Sequence, residues 1–214
     1  LIYEPQNFSK KAIKFLKDNG IEPKLNPGQD FKDAVNEYEI IYMRLGKIIN
    51  KSVFNRNMLL KYLVIPATGI DHVNEDDCRK FKVNIISFKN NKELISKINA
   101  TPELTIALCF NLLRKITSSI KSVQNGIWDR EKYRGYDLEN KSVGIIGFGR
   151  IGKKMAKIYS SFGCRVSFYD ISNLDENKKI NRYDNLEDIF KNSDIISLHA
   201  SYSNENHEMI NYKL

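Results

Sequence analysis

The chain has 214 residues, 42% hydrophobic and 11% aromatic, too apolar for a disordered chain and enough for one large or two small cores. Its 34 Lys+Arg against 26 Asp+Glu give a net charge of +8, but pairs such as Lys10-Lys11, Lys153-Lys154 and Lys178-Lys179 are scattered, so a solvated surface is expected rather than a nucleic-acid face. No apolar run approaches the ~20 residues of a membrane span and no leader-like segment opens the chain, which points to a cytoplasmic protein without a membrane partner.

Leu1 to Tyr3 reads as the stub of a buried strand. It leads to a helix from Ser9 to Leu16, with Ser9 as N-cap and Ala12, Phe15 and Leu16 at helical spacing, stopped by Asn19-Gly20. Pro23 and Pro27 mark turns. A second helix is predicted around Phe31 to Asn36, then strand Glu39–Met43, a short helix Asn57–Lys61, strand Tyr62–Ile65, a turn Pro66–Gly69, helix Asn74–Lys80 and strand Val83–Phe88. Short apolar strands alternating with helices require crossover connections, so residues 1–97 are expected to form a parallel α/β domain.

Pro102 to about Gly126 reads as the longest helix, apolar on nearly every face. Such a helix is either a core helix or one that packs between domains and between subunits. Beyond it come strand Lys141–Ile146, helix Arg150–Phe162, strand Arg165–Asp170, helix Leu186–Phe190 and strand Asp194–Leu198, placing a second α/β domain over residues 98–214. The chain starts without Met and stops at Leu214 inside what reads as a continuing helix, so it is expected to be part of a longer protein. Cys78, Cys109 and Cys164 are odd in number and widely spaced, which suits buried reduced thiols and neither a disulfide framework nor a metal site.

Gly147-Phe148-Gly149-Arg150-Ile151-Gly152 is a G-x-G-x-x-G that follows a predicted buried strand and opens a helix. The next strand ends in Asp170, 18 residues after Gly152, close to the ~20 expected of a ribose-binding acid. Gly147 permits the tight turn, Gly149 lets the backbone approach a pyrophosphate, and Gly152 lets the helix pack on the strand. Asp170 would accept hydrogen bonds from ribose hydroxyls and repel a 2′-phosphate. Ile171-Ser172-Asn173 adds no arginine, so NAD is favoured over NADP.

With these residues placed, the sequence resembles the D-isomer-specific 2-hydroxyacid dehydrogenase family over essentially its whole length, with phosphoglycerate dehydrogenase-like and hydroxypyruvate reductase-like members nearest. Ala100–Leu108 is similar to the helix linking the family's two domains. Val143–Gly152 is similar to its signature, and Ser193–His199 to its third cofactor-domain strand. The resemblance implies two doubly wound parallel-sheet domains: a flavodoxin-like substrate domain, and a Rossmann NAD-binding domain that is incomplete in this chain. It implies that the backbone at Arg150 and Ile151 touches the pyrophosphate, that Asp170 holds the adenosine ribose, and that His199 and Ala200 form the loop beside the cofactor. His199 would then position that loop rather than act as an acid or base. The turn Ala67–Asp71 is similar to the loop whose amides hold the substrate carboxylate, with Thr68 and Gly69 at the matched positions. Arg44 matches a substrate-side arginine of phosphoglycerate dehydrogenases.

Two departures accompany the likeness. Ile65 stands where phosphoglycerate dehydrogenases often carry an arginine, and Ser201 and Asn206 replace the Pro and Thr common after the third strand. The family's catalytic arginine, acid and histidine would lie beyond Leu214. None of His72, His199 and His207 occupies the histidine's motif, so no catalytic residue is assigned within the 214, and the segment alone is expected to be inactive. The expected chemistry is hydride transfer between nicotinamide and a D-2-hydroxy or 2-keto acid, by a homodimer formed through the NAD-binding domain. The alternative is a non-catalytic NAD-binding sensor or an inactive remnant of the same fold.

Overall fold

The computed structural model describes residues 1–6, 8–26, 28–172, 180–212 and 214. Pro27, Asn173 and the Lys178-Lys179 pair lie outside the described residues. The chain divides into two compact units, Leu1–Lys97 and Ile98–Leu214.

In the first unit the elements run α1 (Lys10–Asp18), α2 (Phe31–Glu37), β1 (Ile40–Tyr42), β2 (Tyr62–Ile65), α3 (Glu75–Lys80), β3 (Asn84–Ser87) and α4 (Lys92–Ser96). The strands form a parallel sheet in the order β1-β2-β3. Ile2 forms parallel bridges to both Leu25 and Tyr42. Taken with the strands, these bridges give the order 2-1-3-4-5, in which the chain reverses direction between Ile2 and β1. Phe31, Ala34 and Val35 of α2 are buried against Ile41, Leu63 and Ile65, because alternate strand residues share one face. The abundant asparagines have a local task. Asn74 and Asn91 each accept a hydrogen bond, at 2.9 Å, from an amide in the helical turn that follows, satisfying donors that helix starts leave unpaired.

The second unit runs α5 (Ala100–Leu113), α6 (Ile116–Gln124), β4 (Ser142–Ile146), α7 (Arg150–Ser161), β5 (Arg165–Tyr169), β6 (Asn181–Arg182), α8 (Leu186–Lys191) and β7 (Ile195–Leu198). Its sheet is parallel throughout, in the order β6-β5-β4-β7. From β4 the chain winds outward through β5 and β6, then returns to the other side of β4 as β7. Parallel α/β sheets bind ligands at such a reversal, outside the carboxyl ends of the strands. Val143, Ile145, Phe148, Met155, Tyr159 and Phe168 make the core beneath it.

The parallel α/β architecture is as expected from the sequence, but several elements differ. The long helix is two helices, broken at Lys115, whose φ is 51°. There the Thr117 amide bonds Asn111 Oδ1 at 2.9 Å, while the carbonyl of Leu113 accepts from Tyr136 N at 3.0 Å. Residues 57–61 form no helix, because the amides of Leu59 and Leu60 bond Val35 O, and those of Lys61 and Tyr62 bond Glu39 O. The expected helix before Leu214 is replaced by turns. Glu208 has φ 52°, and the Asn206 side chain closes the preceding turn on Ser201 O at 2.7 Å. Strand Leu1–Tyr3 is present only as bridges, and α4 and β6 were not foreseen. No helix among the described residues is long and apolar enough to cross a membrane. All three cysteines are buried and free.

Candidate functional site

The carboxyl end of β4 runs directly into the glycine turn. Gly147 has φ +88°, and a Cβ there would lie 2.5 Å from the amide nitrogen of Ala200. A Cβ at Gly152 would lie 2.1 Å from the carbonyl oxygen of Gly147. Both contacts are with backbone, which cannot swing aside. At Gly149, by contrast, a Cβ would meet nothing within 4 Å, so the middle glycine faces open space. The side chain between them anchors the turn: Phe148 is fully buried and stacks on Phe168 with ring centroids 3.9 Å apart.

Gly149 is the N-cap of α7 and its side makes no capping bond. Among the described residues nothing accepts from the amides of Gly149, Arg150 and Ile151. These are the orphan donors of a helix start, carrying the positive end of the dipole. The Arg150 side chain turns away to the carbonyl of Ile98 at 3.3 Å, so it is the backbone at this position that faces the turn.

Asp170 follows β5. Its Oδ2 accepts from Phe148 N at 2.6 Å and its Oδ1 from Ser172 N at 2.8 Å. A carboxylate offers about four acceptor positions, so this side chain braces the glycine turn and retains capacity for two more donors. Arg182, on β6, donates to the Asp170 carbonyl at 3.2 Å. No local pattern marks it, because β6 reaches β5 from farther along the chain.

His199 and Ala200 follow β7 on the other side of β4. His199 N donates to Ile146 O at 2.7 Å, bringing this segment against Gly147. Burial lowers the imidazole pKa below its ordinary value. Gly147, Gly149, Arg150, Ile151, Gly152, Asp170, His199 and Ala200 therefore surround one turn at the sheet reversal.

Arg44 and the Thr68–Gly69 turn belong to the first unit, after the neighbouring strands β1 and β2. The Arg44 side chain is exposed. Its amide donates to a Glu4 carboxylate oxygen, and the Gly46 amide donates to the other at 3.2 Å. Thr68 and Gly69 are exposed, and their amides have no partner among the described residues. Next to this turn, the His72 carbonyl accepts from Ile49 N at 2.7 Å. His207 packs edge-on to Tyr202. No group of three or more His, Cys, Asp or Glu among the described residues could hold a metal.

Residues 106–214, just over half of the chain, match the D-isomer specific 2-hydroxyacid dehydrogenase NAD-binding domain. The chain belongs to the D-isomer-specific 2-hydroxyacid dehydrogenase family. Its relatives in that family include a D-3-phosphoglycerate dehydrogenase of Bacillus subtilis (strain 168), 28% identical over 85% of this chain and 34% of the relative. A glyoxylate reductase of Thermococcus litoralis is 27% identical over 98% of this chain and 65% of the relative. The chain thus spans between about a third and two thirds of the length of these relatives. An acyclic imino acid reductase (Bsp5) solved with NADPH and D-Arg shares the fold, with a TM-score of 0.83 and 21% identity over 99% of this chain and 68% of that one. The glycine turn, its open middle position and its unpaired amides fit the NAD that this family's domain binds.

Proposed function

We propose that this chain carries the cofactor and substrate-carboxylate sites of an NAD-dependent oxidoreductase that interconverts D-2-hydroxy acids and 2-keto acids. The observation that carries the reading is the turn at the β4/β7 reversal, where three unpaired amides, a glycine with open space before it and a carboxylate meet. NAD bound there supplies a hydride acceptor or donor. The amides of Gly149, Arg150 and Ile151 neutralise the pyrophosphate. Asp170 accepts from the ribose hydroxyls and disfavours a 2′-phosphate by charge repulsion, while Arg182, bonded to its carbonyl, holds that residue in place. Gly147, Gly152, His199 and Ala200 shape the turn. The unpaired amides of Thr68 and Gly69 suit a substrate carboxylate, with Arg44, past the end of the neighbouring strand β1, as the cation. Residues 1–97 would form the substrate domain and 98–214 the linking helices and cofactor domain. The substrate is a small 2-keto acid of the hydroxypyruvate or glyoxylate kind. Ile65 removes one cation that a phosphorylated substrate would use.

The partner we propose is a second copy of the chain. Leu104, Leu108 and Leu112 recur every fourth residue on α5 and are 61%, 54% and 78% exposed, and Trp128 is 85% exposed. Apolar side chains of this size, left to solvent at helical spacing, mark an association surface. Leu112→Glu with Trp128→Glu should convert a dimer into monomers in sedimentation.

The deciding experiment is NADH oxidation by the full-length protein with hydroxypyruvate, glyoxylate, pyruvate and phosphohydroxypyruvate. Turnover with the unphosphorylated acids is expected. Tight NADH binding without turnover of any of them would support a sensor instead.

A further inference from the structure

Asp170 is engaged from two directions. Its side chain turns to the glycine loop, where Oδ2 accepts from Phe148 N at 2.6 Å. Its carbonyl oxygen accepts from Arg182 Nη2 at 3.2 Å. A guanidinium is therefore held against the peptide of the residue that carries the ribose acid.

The backbone explains why it lies there. Along β5 the carbonyls bond alternately to either side: Phe168 O accepts from Tyr183 N, just past β6, and Tyr169 O from Gly147 N, just past β4, each at 2.8 Å. Asp170 O is next in the series that faces β6. That strand has only two residues, Asn181 and Arg182, with Arg182 opposite Phe168. Among the described residues no backbone amide takes the Asp170 carbonyl, and the Arg182 side chain extends the ladder in its place. Arg182 thus stands on the side of Asp170 away from the glycine turn, toward the outer edge of the sheet.

A neutral donor would satisfy a carbonyl equally well, so the charge has a consequence of its own. A phosphate on the ribose 2′ oxygen carries about −1.5 to −2 charges near neutral pH. The Asp170 carboxylate repels it, and the Arg182 guanidinium attracts it. Arginine stays charged throughout this range and matches phosphate oxygens with a planar fork of donors. Arg182 is half-buried, which weakens the screening of its charge relative to an open surface. The ground beside Asp170 is open, since Ile171 is 83% exposed and Ser172 is exposed as well.

We propose that Arg182 is a specificity-determining residue for the dinucleotide: its charge offsets part of the rejection of a 2′-phosphate by Asp170. The preference for NAD over NADP is then set by the balance of the pair and not by the acid alone. The proposal rests on the reading of the glycine turn as the NAD cradle.

The test uses the full-length protein with Arg182→Gln, which keeps a donor for the carbonyl and loses the charge, and Arg182→Lys, which keeps the charge. β6 is an edge of the sheet, so neither change touches the core. Affinities for NADH and NADPH are read by fluorescence titration. Those for 5′-AMP and adenosine 2′,5′-bisphosphate, which carry only the adenosine end, are read by calorimetry. Arg182→Gln should raise the ratio of NADPH Kd to NADH Kd about three- to ten-fold, the worth of a partly screened bond to a charged group. Arg182→Lys should leave that ratio near the parent value. Asp170→Asn removes the repelling charge and should bind the bisphosphate more tightly than the parent does. Adding Arg182→Gln to it should weaken the bisphosphate about ten-fold and 5′-AMP much less. An unchanged ratio with both dinucleotides weakened would mean that Arg182 only holds the Asp170 backbone, and would overturn the proposal while leaving the cradle reading intact. Equal bisphosphate binding by Asp170→Asn and the double variant would overturn it too. Failure of the parent to bind NADH would bring down the cradle reading and the proposal together.

Discussion

The two units place a loop at the same topological position, yet the loops differ in what occupies their amides. In the second unit the reversal between β4 and β7 leaves the amides of Gly149, Arg150 and Ile151 unpaired, and the carboxylate of Asp170 stands behind them on Phe148 N. In the first unit the reversal lies between Ile2 and β1, and there Glu4 occupies the amides of Arg44 and Gly46 with both its oxygens. One reversal is open to an anion from solution; the other is filled by the chain's own. The unpaired amides of the first unit lie one strand farther along, at Thr68 and Gly69. Sheet topology thus creates a place for an anion, and a single side chain decides whether a ligand can use it.

The sharpest break of that contrast is at Gly152. Gly152→Ala forces a methyl to within 2.1 Å of the Gly147 carbonyl oxygen, and should cost about 3 kcal/mol of stability, at the upper end for overpacking, while abolishing measurable NADH binding in a fluorescence titration. Gly69→Ala is the matched control. Its Cβ would meet only Asp71 Oδ2, at 3.5 Å, so the urea midpoint should stay within about 0.5 kcal/mol of the parent and NADH should bind as before.

Asp170→Ala removes both the brace on Phe148 N and the ribose acceptor. NADH affinity should fall about ten- to a hundred-fold, the value of one or two charge-assisted hydrogen bonds, and the ratio of NADH to NADPH affinity should move toward one. An unchanged ratio would count against the assigned role. In the first unit, Glu4→Ala strips two amides of their carboxylate and should lower stability by about 1–2 kcal/mol in urea unfolding, without touching NADH affinity.

The pH dependence should also separate the units. His199 has a lowered pKa in the folded protein, so below its unfolded value of about 6.5 the unfolded chain binds more protons than the folded one. That stability is present above about pH 6.5 and is lost as pH falls. Hydrogen exchange should therefore show β7 opening more readily at pH 5.5 than at pH 7.5, and His199→Gln should flatten the effect. The smallest effect is expected at Lys61, whose ion pair with Glu39 is largely exposed on both sides. Lys61→Ala should leave the urea midpoint unchanged within error, since exposed pairs contribute little.

What could be read from the residues alone was whatever a short stretch spells by itself. The apolar strands, the glycine spacing from 147 to 152 and the acid at 170 each depend on residue type over a few positions. These were enough to reach a parallel α/β fold and a dinucleotide turn. The helical pattern over 102–126 does not encode its break: Tyr136, outside it, takes the Leu113 carbonyl that would have continued the helix, and the Asn111 side chain takes the Thr117 amide. The same holds for residues 57–61, whose amides are claimed by Val35 and Glu39. Partners brought together by the sheet were invisible for the same reason. Glu4 meets Arg44 across 40 residues and Asp170 meets Phe148 across 22, while Arg182 reaches Asp170 only because β6 pairs with β5. The occupancy of an amide has no local code. Strand order and register decide such contacts, because they set which distant side chains arrive at the same carboxyl end.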